Sequence, residues 1–202
     1  MRHRKIWVAT ILLVGGLDAY VIWRTTALET FLVGAVVGVL AFIYLVVNHP
    51  LGLIWRSLPA KELVIGILFT AGTLVAMMPA TPLSATFAAS ALAFAALCAL
   101  NCISIAGWER DLDCAQEKVS IATRQPGIAR RVAIISAGLA LAAFAIAIAH
   151  RPIALLAASL GLSALLLMCL NCSLPRVTTD ERTALADLVL LTPIVPLIAT
   201  AL

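Results

Sequence analysis

Of the 202 residues, 63% are hydrophobic and only 12% are charged, against roughly half and a quarter in soluble domains. A soluble globular fold is therefore excluded, and the chain reads as an integral membrane protein. The net charge of +4 comes from 14 Lys and Arg spread along apolar sequence, with no basic stripe interleaved with aromatics, which excludes nucleic acid as a partner.

Spans of about 20 apolar residues are needed to cross a bilayer core. In chain order the candidates are Ile6 to Trp23, Phe31 to Val47, Leu63 to Met78, Leu83 to Gly107, Val132 to Ala149, Ile153 to Leu170 and Ala184 to Leu202, seven in all. Runs such as Leu139 to Ala149 are apolar at every position, unlike the alternation of a transmembrane barrel, so helices must satisfy the backbone in lipid. The expected class is all-α: one domain over residues 1–202, a bundle of seven transmembrane helices. Twelve of the 14 basic residues fall in residues 1–5, 48–62, 108–131 and 171–183, leaving Arg24 and Arg151 for the other side. The positive-inside rule then puts the amino terminus in the cytoplasm and the carboxyl terminus outside, in a multi-pass protein of the cytoplasmic (inner) membrane. Gly34 and Gly38 form a GxxxG pair suited to close helix contact.

Four segments carry possible chemistry. Asp18 lies within the first span and reads as a partner of Arg24 or an interfacial residue. The stretch Trp55 to Glu62, WRSLPAKE, brings Arg56 and Lys61 to the start of the third span, with Pro59 opening that helix. A cation in a first helical turn opposes the dipole unless an anion is near, and a phosphate would serve; taken alone, these residues fit simple positive-inside anchoring better. The stretch Leu100 to Lys118, LNCISIAGWERDLDCAQEK, ends the fourth span in Glu109, Asp111 and Asp113. Glu109 and Asp113, four apart, share a helical face and repel unless a cation lies between them, while Asp111 points away. Mg²⁺ takes one or two carboxylates, with waters and phosphates completing its shell; an ordinary solvated helix end, balanced by Arg110 and Lys118, fits the same spacing. Asn101 lies near the same face two turns deeper, where it would bind a ligand or bond a neighbouring helix. Asp187 lies in the first turn of the last span, and intramembrane carboxylates are functional candidates by default. Pro193 and Pro196 are expected to kink that helix. The five cysteines, of which only Cys169 and Cys172 have CxxC spacing, are expected to stay reduced.

These segments resemble the UbiA-type intramembrane prenyltransferases. The run Leu100 to Lys118 is similar to that family's second aspartate-rich motif, WRSLPAKE followed by LVIGILFTAG to its basic segment and next helix, and DERTALADLVLLTPI, from Asp180 to Ile194, to the last span of bacterial members. The resemblance implies Mg²⁺-dependent transfer of a prenyl group from a prenyl diphosphate to a lipophilic, often aromatic, acceptor in a bacterial inner membrane. Glu109 and Asp113 would be the catalytic pair holding Mg²⁺, and Arg56, Lys61 and Asn101 would bind the diphosphate. The sequence departs from the family in carrying Glu109 where the motif leads with Asp, and Ile105 where it has Asn. It also has no first aspartate-rich motif and two helices fewer than the family's nine. The expectation is a copy lacking the first two helices, or one whose start lies upstream, with one of two Mg²⁺ sites and doubtful activity by itself. The alternatives are a non-catalytic lipid-binding or accessory membrane protein, and a small transporter whose polar path is lined by Asp18 and Asp187.

Overall fold

The computed structural model describes residues 2–48, 61–75, 77, 84–117, 120–125, 127–172 and 178–192. All the regular secondary structure among the described residues is helical, with no strand. In chain order the helices are α1 (Arg2–Thr25), α2 (Leu28–Asn48), α3 (Lys61–Leu74), α4 (Ala85–Trp108), α5 (Arg110–Ala115), α6 (Ile121–Arg124), α7 (Ile128–Ala149), α8 (Ala154–Cys172) and α9 (Thr179–Val189), with a 3-10 turn at Arg151–Ile153 before α8.

Among the described residues, five segments are long and apolar enough to cross a membrane: Ile6–Thr25, Leu28–Val47, Ala85–Trp108, Ile128–Ala149 and Arg151–Cys172. They coincide with five of the seven stretches expected from the sequence, and they are the make-up of a multi-pass membrane protein. The third stretch forms α3, which at 14 residues is shorter than that length. Of the last stretch, α9 accounts for the beginning, and residues 193–202, with Pro193 and Pro196, lie outside the described residues.

The bundle is built around α4. Its last three turns bury Leu97, Cys98, Ala99, Leu100, Asn101 and Ser104, on faces that meet α3, α7, α8 and α9. The most extensive interface joins α7 to α8, consecutive helices connected only through His150 and the 3-10 turn. Leu97, Leu100, Val132, Ala140, Leu160, Ala164, Leu167, Ala186 and Val189 form the central cluster. Buried alanines such as Ala99, Ala140, Ala143, Ala157, Ala164 and Ala186 let the backbones approach closely between these larger side chains, which favours association because lipid is as apolar as any side chain. At Gly66 of α3 the approach is close: a Cβ there would lie 2.8 Å from both the Ala95 carbonyl oxygen and the Ala99 amide nitrogen.

The second helix offers α3 one stripe: Thr30, Val33, Gly34, Val37, Ala41, Tyr44 and Val47 are half-buried and the residues between them exposed, the spacing of a single helical face. Of the expected GxxxG pair, Gly34 meets Val75, just past the end of α3, while Gly38 has nothing within 4 Å. The first helix is exposed over its whole span, Ile6–Thr25. Asp18 and Arg24 do not pair there, because six residues put them about 120° apart around the helix and about 9 Å apart along it.

Candidate functional site

Polar side chains gather at one end of the bundle, where α2 and α4 finish and α3 and α9 begin. On α4, Asn101 and Ser104 are three residues apart and share a buried face. The Asn101 amide donates from Nδ2 to Asp187 Oδ1 on α9 at 3.4 Å. The Asn171 amide, at the end of α8, donates to Ser104 Oγ at 2.8 Å and to the Leu167 carbonyl at 2.9 Å. Ser104 in turn donates to the Leu100 carbonyl. These bonds tie α4, α8 and α9 together in one polar layer. Asp187 is exposed, whereas Asn101 retains only 3% of its surface.

On the other flank of α4 lies Glu62, in the first turn of α3 and only 2% exposed. Its Oε1 accepts from the Ile121 amide at 3.4 Å and lies 4.0 Å from Lys61 Nζ. Cys102, between the two flanks, is within electrostatic range of both Glu62 and Asp187, and Tyr44 at the end of α2 is within range of Glu62. The Ile121 bond matters for position. It fixes the start of α6, itself closed by a reciprocal cap between Ser120 and Thr123, onto the start of α3.

The acidic segment joins this end through α6. After Trp108 the chain breaks at Glu109 (φ −90°, ψ 9°) and resumes as the short α5. The Glu109 amide still donates to the Ile105 carbonyl and the Asp113 amide to the Glu109 carbonyl, each at 2.9 Å, so the turn is nearly continuous. Glu109 and Asp113 are half-buried and Asp111 is exposed, as the four-residue spacing requires. The chain then reverses at Glu117, whose φ of 53° is left-handed, and α5 packs on α6. Lys61 and the Glu109–Asp113 face are therefore linked through one short element, α6.

Of the residues singled out from the sequence, Lys61, Asn101, Glu109 and Asp113 all belong to this end of the molecule. Arg56, with Pro59 and Lys118, lies outside the described residues. The orientation of Asn101 bears on its expected role. With Nδ2 given to Asp187, the atom left for a ligand is Oδ1, an acceptor. Turning the amide to offer a diphosphate its NH₂ would set two bare oxygens, Oδ1 and Oδ1 of Asp187, against each other. Among the described residues no three His, Cys, Asp or Glu side chains gather tightly enough to hold a metal ion by themselves. A Glu109–Asp113 pair on one face does suit Mg²⁺, which needs no more than one or two protein carboxylates.

Sequence reasoning missed Glu62, Ser104 and Asn171. The signal for Glu62 was its spacing: Glu62, Gly66 and Thr70 recur every fourth residue and are all buried. Asn171 likewise continues the buried row of Ser163, Ala164 and Leu167 on α8. At the opposite end, α4, α7 and α8 part around a pocket of about 420 Å³ walled by alanines and larger apolar residues, with His150 among its lining residues.

No family model, no curated protein and no solved structure matches the chain.

Proposed function

We propose that the chain is a UbiA-like prenyltransferase-type membrane protein with seven spans, amino terminus inside and carboxyl terminus outside, that binds a prenyl diphosphate with Mg²⁺ and passes its prenyl group to a lipophilic acceptor. The observation that carries this reading is the half-buried face shared by Glu109 and Asp113, linked through α6 and the Ile121 bond to the helix start bearing Lys61. Phosphoryl-group recognition needs carboxylates for the ion and a cation for the free oxygens at one end of the bundle. The resemblance of WRSLPAKE and ERDLD to the family's motifs supports the same roles.

In this reading Glu109 and Asp113 would hold Mg²⁺, and Lys61 and Arg56 would neutralise the diphosphate oxygens on which negative charge accumulates as the carbon–oxygen bond breaks and the diphosphate leaves. Mg²⁺, when bound, supplies Lewis-acid stabilisation of that leaving charge. The apolar walls of the bundle hold the prenyl chain and keep water from the reacting carbon.

The test is prenyl diphosphate binding to purified protein in detergent, with and without Mg²⁺. Glu109→Ala or Asp113→Ala should abolish the Mg²⁺-dependent part, because one remaining carboxylate holds this reluctantly dehydrating ion poorly. Asp111→Ala should change little. Equal, small effects at all three positions would instead mark a solvated helix end, where each charge contributes only tenths of a kcal/mol.

A further inference from the structure

Among the buried side-chain atoms at the polar end that make no hydrogen bond are three acceptor oxygens: Glu62 Oε2, Asn101 Oδ1 and Asn171 Oδ1. Leaving such an atom dry and unpaired costs roughly 1–3 kcal/mol, and native structures place water, an ion or a ligand against the few that occur. All three are acceptors. Whatever meets these three must bring positive charge or hydrogen-bond donors.

The three differ in access. Glu62 is enclosed between α3 and α6, with Lys61 beside it. Asn171 is held behind Ser104. Asn101 lies directly behind Asp187, its amide facing that carboxylate, and Asp187 is exposed. A ligand reaching Asp187 thus meets a full negative charge first and the buried Asn101 carbonyl next.

We propose that Asp187 and Asn101 form a binding site for a monovalent cation, either an alkali-metal ion or a protonated amine, within the α4–α9 interface. The ligand pairs with the Asp187 carboxylate and fills the free valence of Asn101 Oδ1. It stabilises the contact between α9 and the rest of the bundle, and it requires neither a prenyl diphosphate nor Mg²⁺.

The full chain in lipid nanodiscs is followed by thermal unfolding at constant ionic strength. The background salt is choline chloride, whose quaternary nitrogen has no N–H to donate. It is replaced stepwise by NaCl, KCl or ethylammonium chloride. A cation that binds only the folded state raises the midpoint in a saturable way. A rise with NaCl or KCl identifies an inorganic ion, and a rise with ethylammonium alone identifies an amine. Asp187→Asn, which preserves size and polarity, should shift the titration to at least tenfold higher concentration. Asn101→Ala should weaken it as well. Asp18→Asn, on the exposed α1, should leave it unchanged. Midpoints identical in all four salts for the wild type, or an unchanged titration in Asp187→Asn or Asn101→Ala, would overturn the proposal.

Discussion

Gly66 shows most directly how much one residue decides here. A methyl group at this position would press on backbone atoms of α4 at 2.8 Å, and backbone cannot swing aside as a long side chain can. Gly66→Ala should therefore cost about 1–3 kcal/mol, the range for overpacking a tight interface. Gly38→Ala, with nothing within 4 Å, should be neutral or slightly stabilising, since alanine is the better helix former. Comparing unfolding midpoints of the two variants in detergent checks this, and equal midpoints would mean that α3 and α4 are not in such close contact. The difference between these glycines was not legible in the sequence, which pointed to Gly34 and Gly38 by spacing alone. A residue pattern reveals which side chains share a face, not which face meets another helix. For the same reason Asn101 and Asp187 stood out singly from the sequence, while their pairing across 86 positions did not.

Among the elements, α9 carries its own start signal. Thr178 accepts at its hydroxyl from the Glu181 amide, and the Glu181 carboxylate accepts from the Thr178 amide at 2.9 Å, a reciprocal arrangement that satisfies two otherwise orphan donors. The bonds from the Thr178 amide, and then from its hydroxyl, hold the Glu181 carboxyl below its ordinary value of 4.5. A folded value below the unfolded one means that this contribution is complete above the ordinary value and is lost as pH falls through the folded one. Hydrogen exchange over residues 179–183, corrected for intrinsic rates, should show less protection at about pH 3 than at about pH 6, and Thr178→Val should reduce that difference. Protection that is the same at both pH values in the wild type would show that the cap does not control the end. Element existence was the most legible level of the chain: the five long helices coincide with apolar runs visible in the sequence. The extramembrane α5 and α6 were not, since helices this short depend on neighbours such as Glu62 rather than on their own periodicity.

For the whole molecule, the division of basic residues, twelve against two, places α3 to α9 around a cytoplasmic polar end in the proposed topology. Reporter fusions after Leu28 and after Leu202 should both read as periplasmic; a cytoplasmic reading at Leu202 would invert the placement of the last span and detach Asp187 from the cytoplasmic end. The sequence made the membrane class plain because composition is set by the solvent that surrounds the chain. It left the bundle's centre unstated, because α4 differs from its neighbours less in hydropathy than in how many helices pack on it. The α7–α8 interface has a further consequence for how the protein is made. Its two helices adjoin in sequence and are joined only by His150 and one turn, so their many mutual contacts close short loops and are of low contact order. Each helix already satisfies its own backbone in lipid. The pair can therefore zip together as a hairpin as soon as Cys172 has left the ribosome, leaving a preassembled surface on which the earlier helix α4 and the later α9 dock during biogenesis.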